Sequence, residues 1–341
     1  MKNPKVAVVV LNYKGWQDSI TCVESLFEQS YKHFHVVLIE NGSKDGSAEQ
    51  LSKLKDPRLT YIEEPVNTGF TGGVNIGIQW AMDNGYDCVA LLNNDARAEH
   101  DWLENLVSTM SRLEASIVTG LLLSADGKTI DDAGDDYSTW GIPSLRVEGK
   151  PADQAPDSGY VFGATGGATL YKVALFKEIG VFDNVFFAYN EDVDIDWRTQ
   201  LAGHKIYYEK SAVAYHKHSA TSKKMPGFTT TQVFKNLPVV FIKNVPFPMV
   251  IPMGIKFFFI YWAFVFYKVL RGEWKAAFRG VFKSVTLWPH AFRERRKIQK
   301  AKKVSNAYIR SILHKGLPLR SVKRLKYFFK HPFKRQTELD Y

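Results

Sequence analysis

Cysteine is nearly absent: Cys22 and Cys88 are the only two in 341 residues. Two thiols in apolar or amphipathic stretches, with no metal-ligand spacing, exclude a disulfide-stapled module and a zinc framework. No signal-peptide pattern precedes the first strand-like run, so action on the cytoplasmic side is the expectation. Internal repeats and coiled-coil heptads are also missing. The glycine-rich stretch Asn67 to Gly77 lacks both the glycine spacing of a dinucleotide fingerprint and the Lys-Ser/Thr pair of a P-loop. Acidic residues are scarce at one end, where Lys268 to Tyr341 carries 21 Lys and Arg against 4 Asp and Glu, or +17 in a chain of net +10. Everything before Lys268 sums to −7, and no zinc-finger or helix-turn-helix signature accompanies the basic tail, so nucleic acid is not an expected partner.

An anionic membrane surface is. From Val245 to Tyr267 the only charged side chain is Lys256, and Phe257 to Phe266 is almost wholly apolar or aromatic. The length would span a bilayer, but Pro246, Pro248 and Pro252 are expected to break its first part, leaving about 14 to 18 residues of good helix. Aromatic residues followed by Arg271, Lys275, Arg279 and Lys283 give an interfacial pattern, so monotopic or re-entrant attachment is expected. A buried core helix with a solvated basic tail is the bland alternative.

The region before it alternates strand and helix. Val6 to Leu11, Phe34 to Ile39, Leu59 to Glu63 and Cys88 to Leu92 read as parallel strands, with helices over Trp16 to Gln29 and Gly72 to Asn84. Trp102 to Leu113 and Asp192 to Ala202 read as further helices, Ile117 to Leu123 and Ile206 to Val213 as further strands. The stretch Ser124 to Ser158 has no sustained periodicity and reads as an excursion over one face. These patterns predict an α/β domain over 1–230 and an aromatic, basic helical attachment region over 231–341.

Ligands gather beyond the carboxyl ends of parallel strands, so the polar residues following these runs belong to one rim. Asn12 and Tyr13 follow the first strand; Glu40 and Asp45 follow the second, where base and ribose could be met. Asn41-Gly42 and Asp45-Gly46 are equally ordinary turn sequences. Asp95, in Asn93-Asn94-Asp95 beyond the fourth strand, is the best candidate to hold a divalent cation against a diphosphate. His216 or His218 would complete that site, an exposed structural pair being the competing reading. Glu191, Asp192 and Asp194 form a second acidic cluster able to take a proton from an acceptor hydroxyl, or merely to favour a helix N-terminus. If a helix begins there, Glu191 and Asp194 face one way and Asp192 another. A cation-clamped diphosphate and a separate carboxylate base together suggest a sugar-nucleotide transferase; a nucleotidyltransferase or a non-catalytic membrane scaffold would be the alternatives.

Taken jointly, Val8-Val9-Val10-Leu11-Asn12-Tyr13, Glu40 to Ser47, Asn67-Thr68-Gly69-Phe70 with Gly73 and Asn75, Leu92 to Ala96, Gly166-Gly167-Ala168, and Gly180 to Asp183 followed by Phe187 to Asp194 resemble the family 2 inverting glycosyltransferases of the GT-A fold, in order and spacing over about residues 5 to 222. Within that family they are most similar to the rhamnosyltransferase-like branch of bacterial surface polysaccharide synthesis. The resemblance implies a GT-A fold with a mostly parallel sheet. It implies Asp95 as the metal carboxylate with Asn93 in place of the family's first Asp, and His216 near the metal. It places Asn12, Tyr13, Glu40, Asp45, Asn67, Gly69, Phe70, Asn75, Asn93, Asn94 and Gly167 at the nucleotide sugar, and Asp192 as general base beside Glu191. Glu40 stands where Asp is more usual. The implied cofactor is Mg2+ or Mn2+, the donor dTDP-L-rhamnose, the acceptor a polyprenyl-diphosphate-linked glycan at the inner leaflet. A homodimer is the default assembly.

Overall fold

The computed structural model describes residues 3–113, 115–217 and 225–330. Those within Met1–Asp135 and Leu145–Lys224 form one compact unit, and those within Asp136–Ser144 and Met225–Tyr341 a second. The division expected after residue 230 falls inside a helix, Phe228–Asn244.

The first unit runs β1 (Val6–Asn12), α1 (Trp16–Phe27), β2 (Phe34–Asn41), α2 (Ser47–Leu51), β3 (Leu59–Glu64), α3 (Gly69–Asp83), β4 (Cys88–Leu92), β5 (Ala96–Ala98), α4 (Trp102–Leu113), β6 (Ile117–Ser124) and β7 (Ile130–Asp132). After the short strands β8 (Asp135–Tyr137) and β9 (Pro143–Leu145) come β10 (Gly159–Val161), β11 (Ala168–Lys172), α5 (Val173–Ile179), α6 (Glu191–Leu201) and β12 (Ile206–His216). The main sheet has the order β10-β12-β6-β11-β4-β1-β2-β3. β4, β1, β2 and β3 are mutually parallel, as are β6 and β12, while β11 lies antiparallel between β4 and β6. Continuous apolar strands suit this sheet because both faces are covered. Val6, Val8 and Val10 pack with Cys22, Leu26, Trp102 and Leu106 on one face; Ala7 and Val9 pack with Val74, Ile78, Phe176 and Ile195 on the other.

Two boundaries differ from the sequence reading in ways that matter for the site. α3 begins at Gly69 rather than Gly72, so the glycine-rich stretch is mostly helix. β12 continues through His216, because Ser124 of β6 and Ala96 of β5 flank it on both sides. His218 lies outside the described residues.

The second unit contains α7 (Phe228–Asn244), α8 (Phe247–Lys268), α9 (Trp274–Ala301), α10 (Asn306–Ile312) and α11 (Leu319–Lys330). Pro248 and Pro252 do not break α8: Pro246 caps it and Pro248 sits in the first turn, where its missing N–H has no intrahelical role. The bend comes later, at Gly272, whose φ of +86° separates α8 from α9. α7 and α9 approach closely, for a Cβ on Gly280 would stand 2.6 Å from the Thr231 carbonyl oxygen. Phe241 stacks on Phe257 with ring centroids 4.8 Å apart, and Arg295 Nη1 donates to the Ile242 and Val245 carbonyls at 2.8 and 2.7 Å, satisfying the end of α7.

Candidate active site

Adjacent strand ends build the first corner. Asn12 closes β1 directly opposite Glu40 of β2, and both are buried. Asn12 Nδ2 donates to Glu40 Oε2, its Oδ1 accepts from Ser19 Oγ at 2.7 Å, and Glu40 Oε1 accepts the Ser43 amide at 2.6 Å. Such bonding offsets the cost of burying a carboxylate and an amide. Asn94 is spent on the same network: its Nδ2 donates to Ser19 Oγ at 3.0 Å, latching the loop after β4 to the start of α1. Tyr13 is half-buried, with Lys14 Nζ 5.3 Å from its ring centroid. Asp45 is exposed and its Oδ1 accepts both the amide and hydroxyl of Ser47, the turn geometry that the Asp-Gly sequence allows.

β5 creates the second corner. Its pairing with β12 sets Ala96 opposite His216, which brings the preceding residue, Asp95, against the imidazole. Asp95 Oδ1 lies 2.9 Å from His216 Nε2, and Asp131 Oδ2 lies 2.6 Å from Nδ1 on the other edge of the ring. Asn93 Nδ2 is 3.3 Å from Nε2. Burial pushes the imidazole down, but hydrogen bonds to Asp131 and Asp95, with their charges, outweigh it and lift His216 to about 10. A carboxylate beside Nε2 with a second carboxylate behind the ring is a donor set that holds divalent cations, so the residues fit one. Among the described residues no group of three or more His, Cys, Asp or Glu side chains could hold an ion by itself. Bound phosphate and water would complete the coordination of such a cation, as they commonly do for Mg2+.

The third corner is the start of α6. Asp192 is half-buried; the Val193 amide donates to its Oδ1 at 2.8 Å, and the Gly166 amide acts on its carboxylate electrostatically. Burial raises its pKa more than those amides lower it. Gly167, the next residue, accepts the Asn93 amide through its carbonyl at 2.9 Å, and a Cβ on it would come within 2.9 Å of Asn93 Nδ2. Gly167 thus holds the Asn93–Asp95 loop, and its neighbour Gly166 contributes to the electrostatics of Asp192. Glu191 is buried at the first position of α6. Asp194 does not stand with it as an acceptor-facing carboxylate: it bonds Arg198 Nε at 2.9 Å, whose guanidinium also donates to the carbonyls of Ile179, Gly180 and Val181.

The glycine-rich stretch, expected to lie at the nucleotide sugar, packs closely against neighbouring protein. Gly69 has φ +78°, and a Cβ there would lie 2.4 Å from the Phe187 carbonyl oxygen; one on Gly73 would strike Leu11 at 2.3 Å. These glycines admit neighbouring protein. Asn67 Oδ1 accepts the Gly69 amide at 2.8 Å, and Asn75 clamps the 182–184 segment, donating to the Phe182 carbonyl at 2.7 Å and Asn184 Oδ1 at 2.8 Å. Phe70 packs edge-on to Phe182. Together they brace the loop before α6, where Phe187, Tyr189 and Asn190 all have positive φ, a conformation costly for side-chain-bearing residues.

Sequence reading missed Asp131, Asp132 and Asp196. Asp132 Oδ2 and Asp196 Oδ1 are buried without a hydrogen-bond partner. Burial, then Asp131, pushes Asp132 up to about 8, and burial, then Asp192, pushes Asp196 well up. Only the Asp131-Asp132 doublet in an otherwise unreadable segment hinted at them.

A mostly parallel sheet with an acidic rim and a carboxylate–imidazole corner defines a nucleotide-sugar transferase architecture of the GT-A type. The model of Glycosyl transferase family 2 matches residues 6–180, and the chain belongs to that family. It is 23% identical over 204 residues to the low-salt glycan biosynthesis hexosyltransferase Agl10 of Haloferax volcanii, covering 57% of this chain and 61% of that protein. It is 26% identical over 235 residues to the O-antigen biosynthesis protein RfbC of Myxococcus xanthus, covering 64% of this chain but 18% of the relative. The chain thus spans less than two thirds of these curated relatives. Among solved structures, GalNAc-T7 with UDP, GalNAc and Mn2+ superposes with a TM-score of 0.56 at 15% identity, over 70% of this chain and 47% of that one. The mannosyltransferase PcManGT of Pyrobaculum calidifontis with GDP-Man and Mn2+ gives 0.52 at 15% identity, over 94% and 87%.

Proposed function

We propose that this chain is a metal-dependent inverting glycosyltransferase that moves a sugar from a nucleotide diphosphate onto a lipid-linked glycan at the cytoplasmic face of the plasma membrane, in surface polysaccharide synthesis. The observation that supports this is the Gly166-Gly167 pair: the Gly167 carbonyl accepts the Asn93 amide, and the Gly166 amide acts electrostatically on the Asp192 carboxylate. A leaving group and an incoming hydroxyl must meet at one carbon, so their two attendants must share a wall. Asp95 and His216 would hold Mg2+ or Mn2+, which when bound neutralises charge on a departing diphosphate. Asp192 takes the proton from the acceptor hydroxyl; its burial makes it a better base than an exposed carboxylate. The Asn12–Glu40 network and Tyr13 would contact base and ribose. dTDP-L-rhamnose is the proposed donor, supported by the resemblance of the Asn93-Asn94-Asp95 and Glu191-Asp192-Val193-Asp194 stretches to the rhamnosyltransferase-like branch.

Membrane attachment is supported by the second unit. Phe247–Ala301 holds a stretch long and apolar enough to cross a bilayer, and only 28% of it is buried. Phe247, Ile251, Phe258, Phe259 and Phe266 of α8 are exposed, as are Trp274, Phe278, Phe282 and Phe292 of α9. Apolar surface of this extent in a soluble domain would be a liability, whereas beside a +17 tail it suits an anionic bilayer.

The test is transfer from a panel of nucleotide sugars, dTDP-L-rhamnose included, to a polyprenyl-diphosphate-linked acceptor, with Asp192→Asn as control. The variant should lose about 10²- to 10⁴-fold in kcat with little change in donor affinity. Near-normal turnover in Asp192→Asn alongside loss in Glu191→Gln would move the base to Glu191; absence of transfer from every donor would end the proposal.

A further inference from the structure

We propose that α8 and α9 lie in the plane of a single leaflet, one exposed face of each among the acyl chains and the basic edge of α9 among anionic lipid phosphates, and that neither helix crosses the bilayer. This orientation rests on the membrane attachment proposed above and adds the faces and side chains that meet lipid.

Length and apolarity alone would let Phe247–Ala301 cross. The packing of α8 opposes it. Phe241 of α7 stacks on Phe257, halfway along α8, and Tyr261 donates to the Phe234 carbonyl at 2.9 Å, so these two helices run antiparallel. Thr231 Oγ1 donates to the Ala276 carbonyl at 3.1 Å and Gln299 Nε2 to the Asn244 carbonyl at 2.9 Å, so α9 runs parallel to α7 over the same stretch. A crossing α8 would carry α9 through the hydrocarbon with it, and with α9 the exposed Arg279 and Lys283, whose charges are costly there. The turn from Ser138 to Ile142 would be drawn in as well, for a Cβ on Gly141 would stand 2.9 Å from the Phe257 ring and 3.0 Å from that of Phe241. Irregular backbone is not found against acyl chains at that depth.

The exposed faces suit the membrane plane instead. On α8, Phe247, Ile251, Ile255, Phe258, Trp262 and Phe266 are exposed at steps of three or four residues, which makes one face, while Met249, Met253 and Phe257 are buried on another. α9 has three faces. Ala277, Gly280 and Ser284 are buried, Gly280 against Thr231. Trp274, Phe278, Phe282, Val285 and Phe292 are exposed along a second face. Lys275, Arg279, Lys283 and Arg293, all exposed, each follow one of those aromatics by one residue, about 100° further round the helix. An apolar stripe bordered by a basic one matches the boundary between acyl chains and phosphates, not the uniform hydrocarbon that a crossing helix meets.

Full-length chains with one added cysteine, produced in bacteria, are treated with a membrane-impermeant maleimide in spheroplasts and in inverted membrane vesicles. Cys22 and Cys88 are buried, so the parent chain is the blank. Lys55→Cys reports on the first unit and Lys275→Cys on the start of α9, both positions being exposed. Both should label in inverted vesicles and neither in spheroplasts. Labelling of Lys275→Cys in spheroplasts, with Lys55→Cys protected, would put the bilayer between them and overturn the proposal. The basic edge is tested with Lys275→Gln/Arg279→Gln/Lys283→Gln, which should bind vesicles of 30% phosphatidylglycerol about 100-fold more weakly, roughly fivefold per charge, with binding to phosphatidylcholine unchanged. Equal binding of this variant and the parent to the anionic vesicles would overturn the orientation of α9. Recovery of the parent chain wholly in the soluble fraction would instead overturn membrane attachment itself, and would leave the transferase reading of the first unit standing.

Discussion

Arg198 offers a severe test of how α6, which carries the proposed base, is held. It sits 7% exposed on α6, one turn beyond Asp194, which is fully buried. Nε bonds Asp194 at 2.9 Å, and the two terminal nitrogens reach the carbonyls of Ile179, Gly180 and Val181 at 2.8 to 3.0 Å. Arg198→Ala deprives a buried carboxylate of its ion-pair partner and removes the donor from three turn carbonyls at once. Breaking a buried pair by deleting one partner costs about 3–5 kcal/mol. The lost carbonyl bonds argue for the upper half of that range, since each is worth about 1 kcal/mol net. For a unit of this size that corresponds to a fall in Tm of roughly 8–20 °C. Arg198→Lys keeps the charge but lacks the fork and should lose about half as much. The double variant Asp194→Asn/Arg198→Met should recover part of the loss, because it leaves no uncompensated buried charge. Urea unfolding followed by far-ultraviolet circular dichroism gives the three differences. A loss under about 1 kcal/mol for Arg198→Ala would refute the idea that this pair anchors α6.

Three other perturbations separate packing from chemistry. Gly73→Ala would press a methyl into Leu11, and should destabilise by about 1–3 kcal/mol in thermal unfolding while leaving the metal response of the folded protein unchanged. Asp132 keeps its proton up to about pH 8 when folded but loses it near 4 when unfolded, so its contribution favours the native state at low pH and is progressively lost as pH rises from about 4 to 8. Asp132→Asn should therefore be more stable than the wild type at pH 8 by a few kcal/mol, about 1.4 for each pH unit crossed, with the gap closing toward pH 4 in chemical denaturation. Phe258→Ser/Phe259→Ser/Trp262→Ser should weaken sedimentation with vesicles of 30% anionic lipid by about 10-fold or more, whereas a change confined to salt sensitivity would show that the basic tail alone attaches the chain.

The alternation of apolar strands with amphipathic helices was determined locally: Val6 to Leu11, Phe34 to Ile39 and Cys88 to Leu92 are too apolar to lie anywhere but inside a covered parallel sheet, and polar residues directly after them had to collect on one rim. Asp95, His216 and Asp192 could be picked from that logic and from motif resemblance. What sequence could not determine was who stands beside whom. Asp95 meets His216 because three residues, Ala96–Ala98, pair with β12, a strand too short to carry a periodic signal. β11, antiparallel among parallel neighbours, brings Gly166-Gly167 between two acidic segments a hundred residues apart, and the bulge at Asp131 is a single-residue irregularity. Hydrophobic periodicity records only whether a side chain faces the core. Register, pairing partner and the direction of one inserted residue are settled by long-range hydrogen bonding, and in this protein those decided which carboxylates stand beside His216.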